Sequence, residues 1–166
     1  MKIAFGYKMG SGKDISVKYL INKYGGKQIR FADALYDILR YAQKTCGLEY
    51  KKDRRFLQLI GTEWGRNIDP DIWVKIALNS QPKEGNVYCA DVRFKNEFNA
   101  LKNDGFIMVK LIRDKVNENR IGNGIATHIS ENELDDYEDD KWDYIIHNNK
   151  TLDDLYNTLD KIVKAI

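Results

Sequence analysis

The sequence predicts a three-layer α/β/α fold of about five mainly parallel strands, with helices on both faces and a short lid. Two observations carry that expectation. Short apolar runs alternate with stretches of helical period, the pattern of βαβ units. The first apolar run also breaks into a glycine-rich turn that opens directly into a helical pattern. Sheets of this kind bind ligands beyond the carboxyl ends of their strands, so the residues just after each strand matter most.

Residues 2–6 form the first strand, and Met9-Gly-Ser-Gly-Lys-Asp14 the turn after it. Val17, Leu20, Ile21 and Tyr24 then recur at helical spacing until Gly25-Gly26 ends the helix. Residues 28–31 make a short strand. Asp33 is expected to N-cap a helix with Leu35, Ile38, Leu39 and Ala42 on one face. Residues 54–66 follow as a helix with Phe56, Leu57, Ile60 and Trp64 inward. Asp69-Pro70 supplies an N-cap and a first-turn proline for a helix through residue 78. Residues 87–90 form a strand ending at Asp91, followed by a helix to about residue 103 and a strand over 106–112. Residues 113–131 are polar and without period, as a lid would be. After a last strand over 144–146, Thr151 caps a helix whose Leu152, Leu155, Tyr156, Leu159, Ile162, Val163 and Ile166 keep the 3.6 period.

The 166 residues suit a single domain, 1–166, with 43% hydrophobic and 31% charged residues. The 27 basic and 25 acidic side chains leave a net charge of +2, which argues against binding to polymeric nucleic acid by bulk charge. No apolar run reaches the ~18 residues that span a bilayer, and the glycine turn interrupts any signal-peptide pattern. Cys46 and Cys89 are isolated, and His128 and His147 lie far apart. Neither pair suggests a zinc site, and the cysteines suit a reducing compartment. The expected location is cytoplasmic, away from membranes.

The turn carries the sharpest chemistry. A strand, a glycine-rich loop and a Gly-Lys pair at a helix start form the layout of a P-loop. Its backbone N–H groups and helix N-terminus face an oligophosphate, and Lys13 reaches the outer phosphates. Tyr7 stands where the standard spacing puts the first glycine, and Asp14 replaces the hydroxyl that usually ligates Mg²⁺. Lys8, within the turn, is read as a further phosphate contact. Asp91 ends an apolar strand as a Walker-B-type acid would, or serves as a cap or a partner of Arg93. Arg93 could clamp a phosphate with two parallel bonds. Arg54 and Arg55 open an amphipathic helix that closes on Gly61, Gly65 and Arg66, forming either a solvated basic face or an anion site. Trp73 suits the core and a platform for a base equally. Arg113 and Arg120 bracket the lid, where they either close on a transferred phosphoryl or stay solvated.

Five blocks together resemble the phage deoxynucleoside monophosphate kinases. Met9-Gly-Ser-Gly-Lys-Asp14 is similar to their Arg-Ser-Gly-Lys-Asp loop, and Phe31-Ala-Asp-Ala-Leu35 to their Phe-Ala-Asp-Pro-Leu. Arg55-Phe-Leu-Gln-Leu-Ile-Gly-Thr-Glu-Trp-Gly-Arg66 with Asp71-Ile-Trp-Val74 resembles their Gly-Thr-Glu helix and the Trp-Val beyond it. Asp91-Val-Arg-Phe-Lys-Asn-Glu97 and Thr127-His-Ile-Ser-Glu131 match two further blocks in family order.

The resemblance implies a P-loop nucleoside-monophosphate-kinase fold, ATP as phosphoryl donor, Mg²⁺, and a deoxynucleoside 5′-monophosphate as acceptor. It implies that Gly10, Ser11, Gly12, Lys13, Asp14, Ile15 and Ser16 hold ATP. It places Phe31, Asp33, Leu35, Arg55, Gly61, Trp73, Asp91, Arg93, Glu97 and Glu131 around the acceptor. Lys8, Arg54 and Arg66 are added from their charge and position, and Lys13, Asp91, Arg93 and Arg113 are the expected catalytic set. The metal is expected to be held indirectly, through Asp14 or Asp91. Ala34 and Tyr36 depart from the family's proline and lysine. The chain also lacks room for the large insertion of the longer phage enzymes, and a homodimer stays open. A phage enzyme would work in the host cytoplasm. Phosphomevalonate kinases resemble the same Ser-Gly-Lys-Asp loop, so another phosphorylated acceptor is the first alternative. A nucleotide-dependent switch is the second, although Asn149-Lys-Thr-Leu152 lacks the final aspartate of a guanine-selecting motif.

Overall fold

A computed structural model describes residues 1–114 and 133–166. Of the expected lid, Arg113 and Asp114 fall among them; Arg120, His128, Glu131 and the block 127–131 lie outside the described residues. The chain forms two compact units, one of Met1–Gln28 with Pro82–Ile166 and the other of Ile29–Gln81.

The first unit is built on a five-stranded parallel sheet in the order β2-β3-β1-β4-β5. The strands are β1 (Lys2–Gly6), β2 (Lys27–Ile29), β3 (Val87–Val92), β4 (Ile107–Ile112) and β5 (Tyr144–His147). Central β1 pairs with β3 on one side and β4 on the other. Parallel strands need crossovers; α1 (Lys13–Tyr24) lies in the β1–β2 connection and α5 (Lys95–Asn103) in the β3–β4 connection, while α6 (Leu152–Ala165) follows β5 at the end of the chain. Side chains alternate across the sheet, so each strand feeds two cores. Ile3, Phe5, Tyr88, Ala90, Val109 and Leu111 pack with Val17 and Leu20 of α1 and Leu155, Leu159 and Ile162 of α6. The opposite parity brings Gly6 against the Trp142 ring, which meets Phe98 of α5 edge-on at 4.7 Å. A side chain at Gly6 would begin 2.6 Å from Trp142 Cη2, so only glycine fits beneath that ring.

Strand β3 runs two residues further than the apolar run suggests, because Val92 pairs with Gly6 beyond an irregularity in the β1–β3 register. Gly25 ends α1 at φ 70°, as its position implies. Thr151 caps α6 by accepting from the Asp154 N–H, and Asp154 answers in a reciprocal box.

The second unit holds α2 (Asp33–Thr45), α3 (Arg54–Gln58), a π-helix over Leu59–Arg66, and α4 (Ile72–Asn79). Three expectations are corrected here. Asp33 does not cap α2; it is the first helical residue, and Ala32 precedes it without a side-chain bond. Pro70 does not open a helix either. Asp69 accepts from the Asp71 N–H in a turn, and α4 starts at Ile72. The third concerns Trp64, which is exposed rather than inward. Residues 59–66 wind with i→i+5 bonds, so each turn takes an extra residue and the inward face drifts. Gly61 and Gly65 are the residues buried there. A Cβ at Gly61 would meet Leu35 Cδ1 at 3.0 Å, and one at Gly65 would lie 2.4 Å from Trp73 Cζ2. No helix among the described residues is long and apolar enough to cross a membrane.

Candidate active site

In the first unit the glycine loop bridges the carboxyl end of β1 and the N-terminus of α1. Tyr7 adopts φ 87°, the left-handed region that a glycine would normally supply. The departure from the standard motif thus keeps the backbone bend and adds a ring. Lys110, opposite Gly6 on β4, holds its ammonium 4.5 Å from the centroid of that ring and 2.7 Å from Asp139 Oδ1. Lys8 pairs with Asp135 at 2.5 Å.

Lys13 folds back over the loop, its Nζ donating to the carbonyls of Tyr7 at 2.9 Å and Lys8 at 2.5 Å. Burial pulls its pKa down to about 8, helped by the Arg93 guanidinium and opposed by the Asp14 and Asp91 carboxylates. Val92 pairs with Gly6, so Asp91 and Arg93 flank the register position where the loop leaves β1, and Asp14 follows Lys13 in the first turn of α1. A loop lysine, an arginine and two carboxylates at the ends of β1 and β3 form a mixed-charge cradle suited to a polyanion and a cation.

Several expected site residues prove to be partners of one another. The Cys89 thiol donates to Asp91 Oδ1 at 3.2 Å, and burial holds that thiol well above its ordinary range. Glu97 is 2% exposed, and its Oε2 accepts from the Arg93 N–H at 2.8 Å and the Phe94 N–H at 3.1 Å. It thereby caps α5 and fixes the backbone that carries Arg93. Ser16 is fully buried, and its hydroxyl donates to the Gly12 carbonyl at 3.1 Å. Ser11 is buried too, donating to the Lys8 carbonyl at 3.0 Å. Gly10, Asp14 and Ile15 are exposed along the loop and first turn of α1, with Gly12 half-buried between them. Arg113 is exposed one residue beyond β4.

In the second unit Phe31 is buried, Leu35 lies over Gly61, and Asp33, Arg54 and Arg55 are exposed. Asp53 caps α3 by accepting from the Phe56 N–H, which sets Arg54 and Arg55 in the first turn. Arg66 donates to the Pro70 carbonyl at 3.2 Å. Trp73 is 3% exposed and donates from Nε1 to the Gly61 carbonyl at 2.8 Å. The indole packs against the π-helix at Gly61 and Gly65.

Asn148 belongs to the loop region, and no motif had marked it. It sits one residue past β5, is 8% exposed, and donates from Nδ2 to the Ser11 carbonyl at 2.8 Å. Its place just after an apolar strand is the signal that could have found it. Lys110 and Trp142 were missed as well, because each lies inside or beside an apolar stretch with no motif of its own.

A family model described as deoxynucleotide monophosphate kinase matches residues 49–159. The chain is 36% identical over 144 residues to "Uncharacterized protein ORF77" of Ictalurid herpesvirus 1, covering 82% of this chain and 60% of that protein. It therefore spans about three-fifths of that relative's length. It is 28% identical over 184 residues to the "Putative deoxynucleotide monophosphate kinase" of Acanthamoeba polyphaga mimivirus, covering 90% of this chain and 89% of that one. Among solved structures, a shikimate kinase from Acinetobacter baumannii superposes with TM-score 0.58 at 14% identity, over 99% of this chain and 93% of that one. A sugar kinase from Janibacter gives 0.57 at 13% identity, over 98% and 94%. A dephospho-CoA kinase from Campylobacter jejuni gives 0.51 at 14% identity, over 99% and 96%. At such identities the structural likeness speaks for the α/β fold.

Proposed function

The chain belongs to the deoxynucleotide monophosphate kinase family, and from that membership we propose that it transfers the γ-phosphoryl of ATP to a deoxynucleoside 5′-monophosphate. An oxygen of the acceptor phosphate attacks the γ-phosphorus in line. The bond to the β–γ bridging oxygen breaks, and ADP leaves with that electron pair. One arrangement carries the reading: the glycine loop holds Lys13 on the carbonyls of Tyr7 and Lys8, and the pairing of Gly6 with Val92 sets Asp91 and Arg93 on either side of that register position, at the end of β1 where the loop begins. Phosphoryl transfer asks for that combination of positioning and charge, and for little covalent chemistry from the protein.

In this reading residues 10–16 cradle ATP, and Lys13 leaves its two loop carbonyls for the outer phosphates. Arg93, held by Glu97, neutralises charge on the transferred group, with Arg113 and Lys8 as further cations. Asp91 orients the acceptor or a cation. In the second unit, Phe31, Asp33, Leu35, Arg54, Arg55, Gly61, Arg66 and Trp73 are the residues assigned to acceptor binding. The 166 residues work as one kinase domain. Mg²⁺ suits the donor set, because Asp14 and Asp91 offer hard carboxylate oxygens. Asp14 or Asp91 would hold such an ion indirectly, through its water shell. It would supply charge neutralisation across the β- and γ-phosphates.

A coupled ADP-release assay with ATP and a panel of deoxynucleoside monophosphates, nucleoside monophosphates and 5-phosphomevalonate tests the proposal. Release driven by one or more deoxynucleoside monophosphates is expected. Hydrolysis without any acceptor, or release driven by phosphomevalonate alone, would overturn it.

A further inference from the structure

A buried side chain just past β5 is hydrogen-bonded to the backbone of the glycine loop. Asn148 donates from Nδ2 to the Ser11 carbonyl at 2.8 Å, while its own N–H donates to the Ile112 carbonyl at 2.7 Å. The residue is thus anchored to β4 through its backbone and to the loop through its side chain. Contact is close: a Cβ at Gly12 would lie 2.7 Å from Asn148 Nδ2 and 3.6 Å from Leu111 Cδ2. Ser11 is 1% exposed and Asn148 8%, so water has little access to replace this bond.

The bond fixes more than a distance. A trans peptide is planar, and its C=O and N–H point in opposite directions. Holding the Ser11 carbonyl toward Asn148 therefore aims the Gly12 N–H the opposite way, away from β5. Gly12 has φ 109° and ψ 12°. A glycine there can rotate the preceding peptide at little steric cost, so the loop sequence alone does not choose its orientation. The Gly12 N–H precedes the free N–H groups of α1, which face outward from the helix N-terminus. An outward Gly12 N–H adds a donor to that group; a flipped peptide would offer a carbonyl oxygen instead.

We propose that Asn148 is a positioning residue for polyphosphate binding, locking the Ser11–Gly12 peptide with its N–H presented to the phosphates. The inference rests on the P-loop reading of residues 9–14. Asn148 does not touch the ligand; it acts through the orientation of one peptide.

The test compares wild type with Asn148→Asp, which keeps the shape but sets a carboxylate oxygen against the Ser11 carbonyl, and with Asn148→Ser. Calorimetry with inorganic tripolyphosphate and with ATP reads the loop, and the acceptor KM reads the rest of the site. Loss of one oriented donor should weaken tripolyphosphate and ATP about tenfold or more in Asn148→Asp, with a smaller loss in Asn148→Ser. The acceptor KM should stay near wild type. In ¹⁵N-labelled protein the Gly12 amide resonance should shift on adding tripolyphosphate to wild type and not to Asn148→Asp. Should Asn148→Asp fail to fold, Asn148→Ser carries the same readouts. Affinity within twofold of wild type, or a Gly12 shift retained in the variants, would overturn the proposal. Lys13→Ala separates the two levels: tripolyphosphate affinity unchanged in that variant would mean that the P-loop reading itself has failed.

Discussion

The Trp73 indole donates to the Gly61 carbonyl at 2.8 Å, and the same ring occupies the space that a side chain at Gly65 would need. Two glycines one turn apart in the π-helix thus serve one tryptophan, as hydrogen-bond acceptor and as floor. Gly65→Ala places a Cβ 2.4 Å from Cζ2 and 3.0 Å from Cε2, and should cost about 1–3 kcal/mol through overpacking. Trp73→Phe removes the N–H donor and should cost a similar ~1–3 kcal/mol. Phenylalanine also lacks the atoms that the new methyl group strikes. The double variant should therefore be more stable than the sum of the two single losses predicts, and urea denaturation of the four proteins measures that coupling.

Lys13 is the next point of test. Its ammonium is held by two loop carbonyls, so truncation removes the proposed phosphate ligand and should leave the sheet intact. Lys13→Ala should lower turnover about 100-fold or more, with an unchanged far-ultraviolet circular dichroism spectrum. Near-normal turnover would remove the loop from the mechanism.

Asp14 stands where a hydroxyl is usual, exposed in the first turn of α1. A carboxylate beside a polyphosphate repels it unless a cation intervenes. Asp14→Ala should therefore raise the Mg²⁺ concentration needed for half-maximal rate, read from initial rates at fixed ATP. A rate curve that superposes on wild type at every Mg²⁺ concentration would discard the role.

Much of this was legible because apolar runs and glycines announce themselves. The run Lys2–Gly6 could only be buried on both faces, and Gly-Lys13 after it could only be a turn into a helix. Pattern reading failed where a tertiary partner decides the outcome. Trp64 fits a helical period with Ile60, yet the π-helical winding turns Gly61 and Gly65 inward to receive Leu35 and Trp73, and those side chains come from other elements. Asp33 and Asp69 look like caps by residue type, but the chain enters each helix one to three residues away. Asn148 and Lys110 were invisible for a different reason. Their importance lies in what they reach, a carbonyl 137 positions away and a ring on the neighbouring loop, and local sequence records neither.

The last prediction concerns how α1 is held to α6. Asp160 of α6 accepts from the hydroxyls of Tyr19 at 2.9 Å and Tyr24 at 2.8 Å, and pairs with Lys23 at 2.6 Å. Tyr19 also stacks on Tyr156 at 4.0 Å. The Lys23 bond, followed by the two tyrosine bonds, pulls the Asp160 pKa down to about 2, and the Lys23 ammonium is raised in return. An unfolded aspartate titrates near ~3.9. A carboxyl depressed by folding stabilises the folded state above its unfolded pKa, and that contribution drains away as pH falls toward the folded value. The stability that Asp160 adds should therefore be complete at neutral pH, decline below about pH 4 and vanish near pH 2. Asp160→Asn removes the charge at every pH. Because the other carboxylates titrate in both proteins, the readout is the gap between their melting temperatures across pH 2 to 7. That gap should be widest at neutral pH and close through the acid window. A gap of constant width down to pH 2 would mean that the side chain contributes by shape and hydrogen bonding alone, and the charged clamp would be withdrawn.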